Sequence, residues 1–245
     1  MEIQRLRAGL QRDATIKAYL EAGLPREPVE AMTEQVRLRT SRLLAGGHRA
    51  AALELAIKIG EQALAEVQAQ RRHDAASAAP AGTKLPLLPA VACAAGCASC
   101  CRLRVEVNAL EAERLFERAR ELGLLEATRG LAERVGGLSK VERLRARTNC
   151  VFLDEGGACR AHAERPMACR AANSFDRVAC DVSVENASVD APIPVDAVWL
   201  VLLRAARVGL LLACEEQGMR CDLEELHAAV ARCADAVNDG AEVGT

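Results

Sequence analysis

Four cysteines stand within nine residues, Cys93, Cys97, Cys100 and Cys101, in the run CAAGCASCC. Thiolates are soft ligands that select zinc, copper(I) or iron–sulfur centres. The small residues and the glycine between them let the backbone fold around a central ion. Metal binding lowers the thiol pKa and deprotonates the ligand, so such a site assembles at neutral pH. A second, wider group follows: Cys150, Cys159, Cys169 and Cys180. Four plus four ligands match two tetrahedral ions, one four-iron cluster plus one ion, or a shared polynuclear site, and the spacing does not choose among these.

Other residues in the same region invite functional readings. His162, between Cys159 and Cys169, is a candidate ligand or proton carrier. A metal held by several thiolates carries excess negative charge. Arg165 and Arg170, close to the cysteines in sequence, are candidates to donate hydrogen bonds to sulfur and offset that charge. Asp154 and Glu155 have the look of an acid–base pair, but a turn attracts acidic residues and we assign them to one. Cys214, Cys221 and Cys233 lie on or beside apolar helical sequence, where free cysteine packs as a small hydrophobe. Trp199 reads as a core or interface residue, and His48, His73 and His227 as surface residues.

The succession CAAGCASCC, then NCVFL, then C-x2-H-x2-RP-x2-CR resembles the YkgJ-type cysteine-cluster family over residues 93 to 180. The resemblance implies a domain that chelates zinc or iron. It maps the family's cysteines onto Cys93, Cys97, Cys100, Cys101, Cys150, Cys159 and Cys169, with Cys180 an additional member. This sequence departs from the pattern in three places. Three residues rather than two separate Cys93 from Cys97, His162 stands where tyrosine is frequent, and Ala171-Ala172 stands where an aromatic often follows Cys-Arg. His162 is therefore also a candidate to replace a thiolate. Flagellin lysine N-methylases are similar to this family too, which implies an alternative: an iron–sulfur enzyme modifying a protein substrate. No glycine-rich nucleotide fingerprint follows a strand here. A metal-trafficking or redox-sensing module is the other alternative. The number of ligands does not distinguish a closed structural site from a catalytic one, so whether the chain is an enzyme stays open.

The elements that must position these residues are mostly helical. Residues 2–71 read as about three helices, punctuated by Gly23 and Pro25 and then by Gly46-Gly47. Residues 74–92, with three prolines and small side chains, read as a linker. Leu103, Val105 and Val107 alternate with charged residues, the period of a short half-buried strand. Asn108 and Glu111 then form a capping-box pattern ahead of a helix that Gly123 should stop, and a second helix covers Leu125 to Val135. From Asn149, a short apolar run, an Asp-Glu-Gly-Gly turn and a return segment predict a β-hairpin between Cys150 and Cys159. Two C-terminal helices follow, one long and apolar, the other from about Asp222 to Val237.

The expected fold is therefore a mostly α protein around a small, irregular cysteine-rich metal core with a short β-hairpin. Its parts would be a helical N-terminal arm (1–73), the linker (74–92), the core (93–182) and a helical C-terminal segment (183–245). The apolar stretches 48–70 and 195–214 should pack on each other, or else serve a homodimer or a protein partner.

Composition narrows the function classes. Basic and acidic residues balance at 32 and 34, so no charge excess steers the chain toward nucleic acid, and one Trp, one Tyr and three Phe offer no stacking platform. The N-terminus carries charges every few residues and lacks a signal-peptide core. The stretch from Val195 to Cys214 is nearly long enough to span a bilayer, but Arg204 and Arg207 near its centre argue for a buried helix and no membrane span. A cytoplasmic location follows, where thiols stay reduced and favour metal over disulfide. The expected cofactor is zinc or iron, an iron–sulfur cluster included.

Overall fold

A computed structural model of the chain describes residues 2–78, 90–188 and 192–238. Helices dominate. The first two are α1 (Glu2–Arg12) and α2 (Ala14–Glu21). Periodicity alone predicts one continuous helix here, but the Asp13 carboxylate accepts the amides of Thr15 at 3.0 Å and Ile16 at 3.2 Å, so it caps a new helix. α3 (Arg26–Ala45) and α4 (Arg49–Ala78) follow. α4 takes in residues 74–78, which the prolines beyond had suggested were linker; most of that linker, 79–89, lies outside the described residues.

These four helices share one core with α10 (Ala197–Glu216), the long apolar helix. Leu6, Ile16, Val36, Leu53, Ile57, Val201 and Leu210 meet there with exposures between 0% and 3%. Burying each such side chain stabilises the fold by about 1.5–3 kcal/mol. α10 approaches α3 closely because Gly209 has no side chain: a Cβ there would stand 2.5 Å from the Thr33 carbonyl oxygen. α10 is long and apolar enough to cross a membrane by length and composition, and 67% of that span is buried inside the chain. Its two arginines meet Asp13, Arg204 at 3.0 Å and Arg207 at 3.4 Å.

A second core contains α5 (Ala109–Glu121), α6 (Leu125–Val135) and α11 (Leu226–Asn238), with Phe116, Phe152 and Val230 inside it. The capping box forms as the sequence predicts, with Asn108 as cap and Glu111 reaching back to its backbone. The short α7 (Lys140–Arg145) also begins with a capping box, from Ser139 and Glu142.

Two details differ from expectation. The predicted strand near Val107 pairs with a distant segment: β1 (Glu106–Val107) lies antiparallel to β2 (Glu224–Glu225), with Glu106 opposite Glu225. That pairing takes residues 222–225 out of the helix expected there. His227, expected at the surface, is 3% exposed, because it opens α11 beneath β2 and its Nδ1 meets the buried Glu225 carboxylate at 2.8 Å.

Candidate metal centre

Three segments carry seven of the eight candidate cysteines, and the eighth, Cys180, stands on a helix that follows them. The first is the loop around Cys93–Cys101, folded by tight turns in which Cys97 N–H donates to Ala94 and Cys101 N–H to Ala98, both at 3.0 Å. It ends in a short 3-10 helix, Ser99–Arg102. Gly96 and Gly157 are both left-handed, with φ of +83° and +79°. They also touch: a Cβ on Gly157 would lie 3.2 Å from the Gly96 carbonyl oxygen. Only glycine permits that approach, which seats the first cysteine loop on the turn between Cys150 and Cys159. Further ties run from Ala92 N–H to the Ser174 carbonyl at 2.7 Å and from Cys150 N–H to the Cys101 carbonyl at 3.0 Å. Ser99 Oγ donates to Asp181 on α9 (Arg177–Glu185), the helix that bears Cys180.

The second segment is hairpin-like. Leu153 and Cys159 form an antiparallel bridge, and Arg160 N–H donates to the Phe152 carbonyl at 2.7 Å. Phe152, 2% exposed, anchors the segment in the second core. Asp154 Oδ1 accepts the Ala158 amide at 2.8 Å, so Asp154 shapes the turn.

The third is α8 (Met167–Ala171), which follows Pro166 and carries Cys169. Glu111 holds its start: Oε1 accepts the Met167 amide at 2.7 Å, while Oε2 accepts the Asn108 backbone amide at 3.1 Å and Asn108 Nδ2 at 3.0 Å. Trp199 Nε1 donates to the Arg170 carbonyl at 2.9 Å from α10. Asn173 Oδ1 accepts the Asp196 amide at 2.7 Å just beyond. The Met167 side chain, fully buried, plugs the first core. Thus α8 is fastened to both cores, and Cys169 with it.

The thiols act on one another. Burial pushes Cys169 well above the ordinary thiol range, and Cys100, Cys150, Cys159 and Glu111 add to the shift. Burial likewise raises Cys159, with Cys150 and Cys100 contributing and Arg165 opposing. Cys150 is pushed up to about 11 by burial, against the pull of Arg143, with Glu225 and Cys100 raising it further. Cys100 is raised first by its hydrogen bond with Cys101, then by desolvation. Cys93 is raised by burial and then by Cys97, Cys100 and Cys180. By these influences Cys100, Cys150, Cys159 and Cys169 form one neighbourhood and Cys93, Cys97 and Cys180 another that also feels Cys100, while Cys101 is hydrogen-bonded to Cys100. Among the described residues, no group of three or more His, Cys, Asp or Glu side chains stands together so as to hold a metal ion. Each of these shifts disfavours a lone thiolate among its neighbours; a soft cation reverses that balance by sharing their charge. The donor set fits zinc or iron.

The remaining candidates sit differently. His162 is exposed; Arg165, burial and Arg170 lower its pKa, and no cysteine is among the groups that perturb it. Arg165 lends charge to Cys100 and Cys159. Arg170 donates to Glu61 at 2.7 Å, to the Arg165 carbonyl at 2.8 Å and to the Ala163 carbonyl, so its hydrogen bonds fasten the loop to α4. Cys214 and Cys233 are buried, one in each core, and Cys221 donates to the Met219 carbonyl at 2.9 Å. Two residues that sequence reasoning did not place here are Glu111, legible only as a cap, and Arg143, a surface-type residue that turns out fully buried.

Residues 92–188 match a family model described as "CxxCxxCC: Putative zinc- or iron-chelating domain". Over these residues the chain is similar to CxxCxxCC domains. The matched segment encloses all eight candidate cysteines, and its description supports metal binding. It leaves α1–α4, α10 and α11 outside, so the elements that complete both cores lie beyond the matched segment itself. No curated protein and no solved structure matches the chain.

Proposed function

We propose that the chain holds zinc or iron through Cys93, Cys97, Cys100, Cys101, Cys150, Cys159 and Cys169, with Cys180 as an eighth donor. The observation that carries this reading is the mutual electrostatic effect of thiols brought in by separate segments, with Cys100 in both neighbourhoods. That overlap supports one compact centre over two independent sites. The metal supplies the positive charge that lets these thiols ionise together.

The chain's own residues orient the donors. Glu111 and Trp199 fix the segment of Cys169, the Gly96–Gly157 contact seats the first loop on the hairpin, and Phe152 anchors Cys150 and Cys159. A reducing, cytoplasmic setting fits the reading because it keeps thiols available as ligands. In this reading α10 is a core helix, both its arginines paired with Asp13. The test is anaerobic purification with elemental analysis and a visible spectrum. Stoichiometric zinc or iron is expected, with loss on Cys100→Ser or Cys169→Ser. Protein free of both metals, with these thiols paired as disulfides, overturns the reading.

A further inference from the structure

Arg143, on α7, is 0% exposed. Its Nη1 donates to the Thr148 carbonyl at 2.7 Å and to Thr148 Oγ1 at 2.6 Å. Its Nε and Nη2 are buried without an acceptor. Guanidinium donors left unmatched in an interior are costly, and a buried cation without a close counter-charge costs more. Through Thr148 the guanidinium is held two residues before Cys150, and the anionic groups that act on it are Glu225 first and then Cys150. Glu225 is already engaged. Its Oε2 accepts the amides of His227 at 2.8 Å and Ala228 at 3.0 Å, and its Oε1 meets His227 Nδ1 at 2.8 Å. Cys150 is the neighbour whose charge changes when a metal binds, since a ligating thiol gives up its proton.

We propose that Arg143 is the buried counter-charge of the metal centre, its free guanidinium N–H groups donating to the Cys150 sulfur once that thiol is a metal-bound thiolate. This rests on the metal-binding reading above. Arg143 lies outside both cysteine groups in sequence and far from the Arg-Pro segment, and it differs from Arg170, whose nitrogens are taken up by Glu61 and carbonyl oxygens. Arginine suits the role because it stays charged and offers several donors to one anion. The arrangement also couples metal to fold. Without thiolate character at Cys150 the guanidinium stays unmatched, and metal binding satisfies it.

The test uses the full chain loaded with cobalt(II), whose thiolate-to-metal charge-transfer band reports on the ligating sulfur, with zinc affinity measured by chelator competition. Arg143→Met is expected to lower affinity by about 10–100-fold, as loss of a group supporting a ligand does. It should move the charge-transfer band to lower energy, because a thiolate that loses a hydrogen bond is easier to oxidise. The metal-free variant should unfold at no lower urea concentration than the parent, since an unmatched buried charge has been removed. Arg143→Lys, which keeps the charge and fewer donors, should fall between. Thr148→Val, which removes only part of the anchor, should leave the band in place. An unchanged band and affinity in Arg143→Met overturn the proposal. So does a metal-free Arg143→Met chain that fails to fold, or a Thr148→Val variant that loses as much affinity, since either makes Arg143 an anchor. A parent chain that binds neither cobalt nor zinc, and that holds no iron when purified without oxygen, overturns the function reading itself, a result distinct from all of these.

Discussion

Glu111 offers the sharpest test of how the fold presents a ligand. Its carboxylate is 2% exposed and accepts three hydrogen bonds, two from Asn108 and one from Met167. Burial holds its pKa above the usual carboxylate range, and Arg207, together with the Met167 and Asn108 amides, offsets only part of that. Glu111→Ala leaves two backbone amides buried and unmatched, at about 1–3 kcal/mol each. Removing a carboxylate that is itself unfavourably desolvated returns part of the loss, so the net should be about 2–4 kcal/mol. Glu111→Gln keeps the shape, but one amide donor must now face another N–H, so about 1–3 kcal/mol is expected. Urea unfolding gives the magnitudes, with an unchanged slope showing that the unfolded state is not responsible. Hydrogen exchange gives the location. Amides at Met167 and Arg170 should lose protection in both variants, because the α8 start is released, while amides in the middle of α10 follow only the global loss. If both variants stay within about 0.5 kcal/mol of the parent, the effect is no larger than that of an ordinary surface change and the reasoning fails. It fails equally if lost protection is confined to the first turn of α5.

Two further predictions concern the frame. Burial opposes ionisation of Asp13, but Arg204, the Ile16 amide and Arg207 outweigh it and hold the carboxyl below its usual range; at Glu225 the His227 contact has the same effect. Groups with lowered folded pKa contribute stability above their unfolded values, and that contribution is lost as pH falls through the folded ones; Glu111, raised by burial, runs the opposite way. Stability from urea unfolding should therefore drop between about pH 5 and about pH 3. Asp13→Asn should cost up to about 3–5 kcal/mol at neutral pH by leaving Arg207 without its counter-charge, and should then fall less steeply with acid; a parallel pH profile would count against it. Gly209→Ala places a methyl 2.5 Å from the Thr33 carbonyl oxygen. It should cost about 1–3 kcal/mol or more as α10 is forced from α3, visible as a lower melting temperature; an unchanged one refutes the close crossing.

Much of this architecture is legible locally. The capping box at Asn108 and Glu111, the bounds of α6 and the turn shaped by Asp154 each depend on residues within a few positions of one another. Helical stripes in α4 and α10 announce faces that must be buried, and these faces share one core. The cysteine types and their spacing point to a soft-metal donor set before any fold is known, because ligand chemistry belongs to the side chain itself.

Other features depend on which distant surfaces meet. β1 finds its partner more than a hundred residues away, and nothing within Glu224–Glu225 marks it as a strand. His227 reads as a surface residue because its side chain is polar, and nothing near Arg143 in sequence singles it out; tertiary packing buries both and leaves guanidinium and imidazole nitrogens without hydrogen-bond partners. Glu111 reads as a helix cap, and only the arrival of α8 gives its other oxygen the Met167 amide. The sequence alone thus determined the candidate donor atoms, most helices and their apolar faces, all local properties of side chain and backbone. Which thiols share a neighbourhood, and which buried charges stand behind them, was decided by the two cores, because electrostatic partners in an interior are chosen by packing across the whole chain.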